Sequence, residues 1–301
     1  MAKEPPRALA LRVYAKVNLT LEVLDRRPDG FHEVRTVLQS VSLADRLTLS
    51  PAPDLALSCS DPALAGPDNL ALRAARLLRA RAGVTPGAHL ALEKGIPVAA
   101  GLGGGSADAA AALVGLTRRW GLAYSDDDLL PLAQELGSDV PFFLRGGTAL
   151  ASGRGEILEP LPFPGVRWLV LVVPPANVPQ KTARLYGALT PGDYRDGSAA
   201  AALAEALRSR HALPEDLLVN SFTAVARRLF PALAHAARAL ADAAAARVHL
   251  SGAGPSLFAL VQSREHGEEV VRRLVASGHA SYLAHTVPHG WEALSPPDVG
   301  G

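Results

Sequence analysis

Apolar residues alternate from early in the chain. In "ALRVYAKVNLTLEVL", Val13, Ala15, Val17, Leu19, Leu21 and Val23 recur at every second position, the period of a half-buried strand, and predict a strand or strand pair with these side chains on one face. Pro28, Asp29 and Gly30 supply a turn, after which "FHEVRTVLQSVSLADRLTLS" reads as further strand. The period then becomes helical. Leu70, Ala74, Leu77 and Leu78 form one stripe, with Asp68 or Asn69 as N-cap and Gly83 as terminator. "AHLALEKGIP" predicts a short strand, and Ser106 to about Trp120 a helix stopped by Gly121. Another helix is predicted over "SDDDLLPLAQELG", capped by Ser125 or Asp126 and stopped by Gly137, before "TALASGRGEILEPL" returns to strand and turn.

Pro160, Pro162 and Pro164 interrupt the pattern ahead of the apolar strand "VRWLVLVV". They suggest two domains, 1–162 and 163–301. The second half reads as α+β: an alanine-rich helical region, one or more helices from Asn220 to about Arg247, a hairpin in "RVHLSGAGPSLFALV", and a helix beginning near "REHGEEVVRRLVASG". No repeat of fixed period is present. A chain of 301 residues with 49% apolar content supports this two-domain expectation and a full-sized core.

A net charge of +1 creates no global field toward nucleic acid or an anionic membrane, so the expected partner is a small molecule. The longest apolar stretches are short and interrupted by proline, whereas a spanning helix needs about 20 apolar residues. The single cysteine, Cys59, excludes an internal disulfide, and "MAKEPPRALA" lacks the apolar core of a signal peptide. A cytoplasmic protein is expected, with monomer and homodimer both open. No H-E-x-x-H motif occurs and one cysteine builds no zinc site, so a structural metal is not expected.

Composition draws attention to one residue type. Only four of the thirty basic residues are lysines, at positions 3, 16, 94 and 181. In a chain that uses arginine for its solvated faces, an internal lysine suggests a need for a compact ammonium.

The segment "KGIPVAAGLGGGSADAAAAL" holds glycine at four of the five positions from Gly101 to Gly105, between the predicted strand and helix. Such a loop directs backbone N–H groups and a helix N-terminus at an anion, and glycine lets phosphate approach without a Cβ in the way. A Walker A loop ends in Gly-Lys-Ser/Thr, and no lysine lies between Lys94 and Lys181. The dinucleotide fingerprint meets Ser106 at its third glycine and sits outside the first strand–helix unit. The H-R-D and D-F-G motifs of protein kinases are absent. A nucleotide phosphate is the expected ligand, with a glycine-rich packing turn as the alternative.

"PVAAGLGGGSADAAAAL" resembles the Pro-x-x-x-Gly-Leu-Gly-x-x-Ser-Ser/Ala loop of the GHMP small-molecule kinase superfamily. "AKVNLTLEV" with "RPDGFHEVRT", "LGSDVPFFLRGGTALASGRGE" and "SGAGPSLF" resemble, in order, further blocks of the branch that acts on a cytidine diphosphate-linked methylerythritol. The resemblance runs from residue 15 to residue 258. Phe31 stands where tyrosine is common, which leaves stacking open, and Ala253 where a hydroxyl residue is common, which puts a side-chain contact from position 253 in question. The implied fold is the two-domain α/β and α+β GHMP kinase fold, with an N-terminal ribosomal-protein-S5-like nucleotide domain and a C-terminal ferredoxin-like domain. The implied reaction is transfer of the γ-phosphate of ATP, with Mg²⁺, to the substrate 2-hydroxyl. Homoserine-type or mevalonate-type kinases are the nearest alternative reading; a nicotinamide-dependent oxidoreductase and a non-catalytic nucleotide-binding regulator are more distant ones.

Asp139 follows a helix stop, so locally it is either a turn aspartate capping backbone N–H groups or a functional carboxylate; the resemblance makes it the general base. Lys16, inside an alternating strand, would ordinarily project to solvent with its stem along apolar surface. The resemblance makes it the cation beside Asp139 that stabilises the transferring charge. Asn18 shares the strand face of Lys16 and either pairs with backbone or orients the hydroxyl. Phe31 and His32 either seal the end of a strand pair or, by resemblance, receive the cytosine end, with Tyr186 as opposite face or as half-buried core. Pro97, Val98, Ala99, Ala100, Gly101, Leu102, Gly103, Gly104, Gly105, Ser106 and Ala107 form the expected ATP cradle, Ser106 as helix cap and candidate ligand of Mg²⁺ or phosphate. Asn69 and Lys94 are candidates for the nucleoside end. For Asp108 and Glu135 a solvated helix face is favoured over a magnesium contact.

Overall fold

The computed structural model describes residues 8–175, 181–210 and 212–295. Strands β1 (Leu9–Arg26) and β2 (His32–Ala52) form one antiparallel hairpin. At 18 and 21 residues they far exceed the usual five or six. Register shifts between Tyr14 and Ala15, Asn18 and Thr20, and Val23 and Asp25 break the pairing, as bulges do where a strand must bend.

The first bulge corrects the reading that one face of β1 carries all the alternating apolar residues. Leu11 and Val13 pack into a core with the helices of the first half, whereas Ala15, Val17 and Leu19 pack into a different core with Leu169, Leu171 and Phe258. At this break β1 advances one residue while β2 advances three, and where the hairpin bends the same alternating positions of β1 leave the first-half core and meet the second half.

Along the chain follow β3 (Leu55–Cys59), α1 (Leu70–Ala82), β4 (Gly87–Glu93), α2 (Gly104–Arg119), α3 (Asp126–Leu136), α4 (Val140–Arg145), β5 (Thr148–Ser152) and β6 (Ile157–Leu161). Asn69 caps α1 by accepting from the Ala71 N–H at 2.9 Å, and Gly83 closes it at φ +63°. Ser125 and Asp128 form a reciprocal capping box on α3. Helix α2 begins at Gly104 with Gly103 as N-cap, so Ser106 lies within its first turn and caps nothing. Its alanines from Ala107 to Ala112 are buried, and a Cβ on Gly115 would come within 2.5 Å of Leu49. Small residues let this helix lie directly on the β1–β2 hairpin.

The second half comprises β7 (Trp168–Val172), α5 (Lys181–Gly187), α6 (Ser198–Arg210), α7 (Thr223–Leu229), α8 (Pro231–Ala244), β8 (His249–Leu250), β9 (Leu257–Val261), α9 (Arg264–Ala276), β10 (Ser281–His285) and β11 (Trp291–Leu294). Its sheet runs β10-β7-β9-β8, the fourth, first, third and second strands of a ferredoxin-like unit. The first sheet runs β11-β1-β2-β4-β3, with β5 on β2 and β6 on β5. Strand β11 thus returns from the second half to the edge of the first sheet. Beyond the first bulge β1 lies between the halves, since Leu21, Val23 and Val34 share a core with Phe222, Val225 and Leu233.

Candidate active site

Lys16 is only 4% exposed. Its Nζ donates to Asn18 Oδ1 at 2.7 Å and lies 3.5 Å from Asp139 Oδ2. The Asn18 amide donates to Thr36 Oγ1 at 2.8 Å, and that hydroxyl donates to the Thr20 carbonyl. This chain turns the Asn18 oxygen toward the ammonium. Asp139 precedes α4, yet its side chain makes no capping hydrogen bond and is 43% exposed. The capping alternative therefore falls, and the carboxylate faces the cleft.

The glycine loop is bound to this pair through backbone. The Lys16 N–H donates to the Leu102 carbonyl at 2.9 Å, and the Ser256 N–H to the Ala100 carbonyl at 3.2 Å. Gly101 (φ +80°) lies so close to the Gly254 carbonyl that a Cβ would stand 2.8 Å from its oxygen. At Gly103 (φ +77°) a Cβ would lie 2.5 Å from the Phe143 ring. Both positions require glycine.

A cavity of about 380 Å³ is lined by Asn69, Lys94, Asp108 and the loop from Pro97 to Ser106. Ala107, expected in the cradle, is instead fully buried in the core. Asn69 lines this cavity while its side chain caps α1 and donates to the Leu64 carbonyl at 2.9 Å. Lys94 is held between two carboxyl groups, those of Asp45 and, at 2.7 Å, Asp108. Asp45 also accepts the N–H groups of Gly95 and Ile96 at 2.7 and 2.8 Å, which fixes the entry to the loop. Asp108 is 2% exposed, contrary to the solvated face expected of it. Burial, and then the neighbouring Asp45, push its carboxyl up to about 8. Glu135 lies on an exposed helix face.

Asp139 lines two further spaces: a cleft of about 650 Å³ shared with Lys16, Asn18, Gly101 and Gly103, and one of about 930 Å³ shared with Phe31, His32, Ser106 and Tyr186. In the larger one His32 stacks on Tyr186 with centroids 4.6 Å apart, and Tyr194 holds its hydroxyl 3.3 Å from His32 Nε2. Tyr186 also meets Phe222 edge-on at 4.9 Å. The ring facing Tyr186 is thus His32, not Phe31. Phe31 is 52% exposed and has the Arg154 guanidinium 4.6 Å above its ring. Burial, reinforced by the charge of Arg26, lowers the His32 pKa and keeps the ring neutral at pH 7. Burial, with Asp139 nearby, pushes the Tyr186 phenol up to about 12, so it remains a donor.

Sequence reasoning missed Arg154, Thr182 and Tyr194 as lining residues. Arginine is too common in this chain to stand out. The scarcity of lysine was the better signal: Lys16, Lys94 and Lys181 all line the cleft or the loop cavity, and Lys3 lies outside the described residues.

Residues 69–147 match the family described as GHMP kinases N terminal domain, and residues 199–280 the family described as GHMP kinases C terminal. The chain is 47% identical over 264 residues to a 4-diphosphocytidyl-2-C-methyl-D-erythritol kinase of Pelotomaculum thermopropionicum, covering 86% of this chain and 91% of the relative. It is 41% identical over 280 residues to one from Dehalococcoides mccartyi, covering 93% and 98%. A crystal structure of 4-(cytidine 5'-diphospho)-2C-methyl-D-erythritol kinase superposes with a TM-score of 0.79 at 37% identity, covering 92% of this chain and 98% of that one. A homoserine kinase from Cytophaga hutchinsonii, at 20% identity and TM-score 0.73, covering 98% of this chain and 99% of that one, shares the fold. With these similarities over the fold and the four sequence blocks, the chain belongs to the 4-diphosphocytidyl-2-C-methyl-D-erythritol kinase family of GHMP kinases.

Proposed function

We propose that this protein transfers the γ-phosphoryl group of ATP to the 2-hydroxyl of 4-diphosphocytidyl-2-C-methyl-D-erythritol. The observation that carries the reading is the buried Lys16 ammonium 3.5 Å from the Asp139 carboxylate, where the glycine loop meets an aromatic pocket. Phosphoryl transfer asks the protein for positioning and charge stabilisation more than for covalent chemistry. In this reading Asp139 takes the hydroxyl proton, and Lys16 offers positive charge to the transferring group. Asn18, oriented by Thr36, steadies the Lys16 ammonium. The loop N–H groups from Gly101 to Ser106 receive the ATP phosphates, and Phe31, His32 and Tyr186 receive the cytosine end.

Magnesium bound to nucleotide phosphates needs only one or two protein oxygens. The Ser106 hydroxyl is a hard oxygen donor that lines both the loop cavity and the space shared with Asp139, so the residues present fit the ion. Ser106 would hold it, leaving Asp139 free as the base, and its charge would offset that of the phosphates. Among the described residues no helix is long and apolar enough to cross a membrane. The reading places the enzyme in the cytoplasm and divides it into 1–162 for nucleotide and 163–301 for substrate, with β11 attached to the first sheet.

The test is ADP release from Mg·ATP with this acceptor, beside homoserine and mevalonate. Turnover with the cytidine-linked acceptor alone supports the reading. A preference for either cytidine-free alcohol overturns it.

A further inference from the structure

Lys181 opens α5, in the second half of the chain, and its ammonium reaches across the cleft. It donates to the Ala99 carbonyl at 2.9 Å and to the Gly254 carbonyl. The first carbonyl belongs to the glycine loop and the second to the turn that follows β8. Both residues have left-handed backbone, at φ +55° and +69°. An ammonium has three N–H donors, so one remains for the cleft that Lys181 lines with Lys16, Asp139 and Arg154.

The three cleft lysines differ in their compensation. Lys94 lies between the carboxyl groups of Asp45 and Asp108 and Lys16 has Asp139, whereas Lys181 makes no ion pair among the described residues. Its burial is uncompensated and lowers its pKa to about 8. A part-buried cation facing a cavity, with only neutral carbonyls as partners, is a place for an incoming anion.

We propose that Lys181 is a further phosphate-binding and positioning residue: it ties the glycine loop to the Gly254 turn and offers its remaining N–H to a phosphate oxygen in the cleft. The inference rests on the kinase reading above and names a contact that reading does not require. Two sources of phosphate oxygen enter such a site, the ATP chain and the acceptor diphosphate.

Lys181→Met removes the charge at similar length, and Lys181→Arg retains it. The magnesium complex of β,γ-imido-ATP, CDP, adenosine and cytidine are titrated separately into wild type and both variants, with thermal melting alongside. Lys181→Met is expected to weaken a phosphate-bearing ligand about tenfold or more, leave the matching nucleoside unchanged, and be largely rescued by Lys181→Arg. A loss confined to imido-ATP assigns the contact to the nucleotide chain; a loss confined to CDP assigns it to the acceptor diphosphate. Phosphate ligands bound within twofold of wild type, or equal losses for nucleosides and nucleotides, overturn the proposal and leave Lys181 a structural latch.

Should Lys181→Met not fold, the decision passes to wild type against Lys181→Arg. Affinity for imido-ATP or for CDP that falls more steeply between pH 7 and 9 in wild type than in the arginine variant supports the proposal; profiles superimposable for both ligands overturn it. The other ionisable groups lining this cleft, Lys16, Asp139, Arg154 and Tyr186, are common to both proteins. Wild type that binds imido-ATP but releases no ADP with the acceptor would defeat the kinase reading while the binding comparison still decides Lys181.

Discussion

At the scale of single residues, Asp139 combines exposure, proximity to Lys16 and freedom from capping. Asp139→Asn keeps the shape and removes the base, so kcat is expected to fall about 10²- to 10⁴-fold with little change in either KM. Steady-state ADP release measures this, and unchanged turnover would remove Asp139 from the mechanism. Phe31 should act the other way. Its exposed ring offers stacking worth about 1–3 kcal/mol, so Phe31→Ala is expected to raise the acceptor KM and leave the ATP KM alone. Equal effects on both substrates would refute that division.

Asp108 carries a consequence for stability. Its folded pKa of about 8 lies above the ordinary 3.8, so its contribution is full below about pH 4 and lost as pH rises toward 8. The melting temperature of wild type should therefore slope downward between pH 5 and 8. Asp108→Asn keeps an acceptor for Lys94 without the titration and should flatten that slope; parallel melting curves would contradict the assignment. Nothing local in "SADAAAAL" distinguishes Asp108 from a solvated helix residue. Its burial depends on α2 lying against the sheet that carries Asp45.

At the scale of elements, the loop glycines are not equivalent. Gly103 combines positive φ with the Phe143 ring at its back, whereas a Cβ on Gly105 would make only an ordinary 3.6 Å contact with Leu70 inside a helix. Gly103→Ala should lower both melting temperature and nucleotide affinity. Gly105→Ala should instead add up to about 1 kcal/mol of stability, because alanine loses less chain entropy in a helix. Melting and imido-ATP titration on the two variants check this, and similar behaviour would show that the loop is less tightly enclosed. The helices were legible because Asn69, Ser125 and Gly83 act on adjacent backbone. The start of α2 was misread because Ser106 has the right side chain for a cap, while the backbone turns three residues earlier at Gly103.

At the scale of the whole molecule, the two halves are not separable by cutting at the proline cluster. Ala15, Val17, Leu19, Leu21 and Val23 bury their side chains against the second half, each worth about 1–3 kcal/mol for the larger ones. Strand β11 closes the first sheet from the other end, and the Trp291 indole N–H donates to the Leu144 carbonyl at 2.9 Å. A chain ending at Gly290 should therefore melt lower than full length, with the loss read by thermal unfolding. An unchanged transition would mean that β11 adds nothing to the first sheet.

Residue order alone determined the β1–β2 strand pair, the capped helices α1 and α3, and the place of the glycine loop ahead of a helix, because periodicity, caps and turns act over a few neighbouring residues. Its shortage of lysine also marked Lys16, Lys94 and Lys181, which line the cleft or the loop cavity. Only the tertiary structure decided that β1 passes from one core to another at a bulge, that Lys94 is enclosed by Asp45 and Asp108, that His32 takes the face of Tyr186, and that Lys181 bridges two loops. Each of those outcomes depends on strand register or on groups far apart in the chain meeting in a low-dielectric cleft, and neither is encoded in any short window of residues.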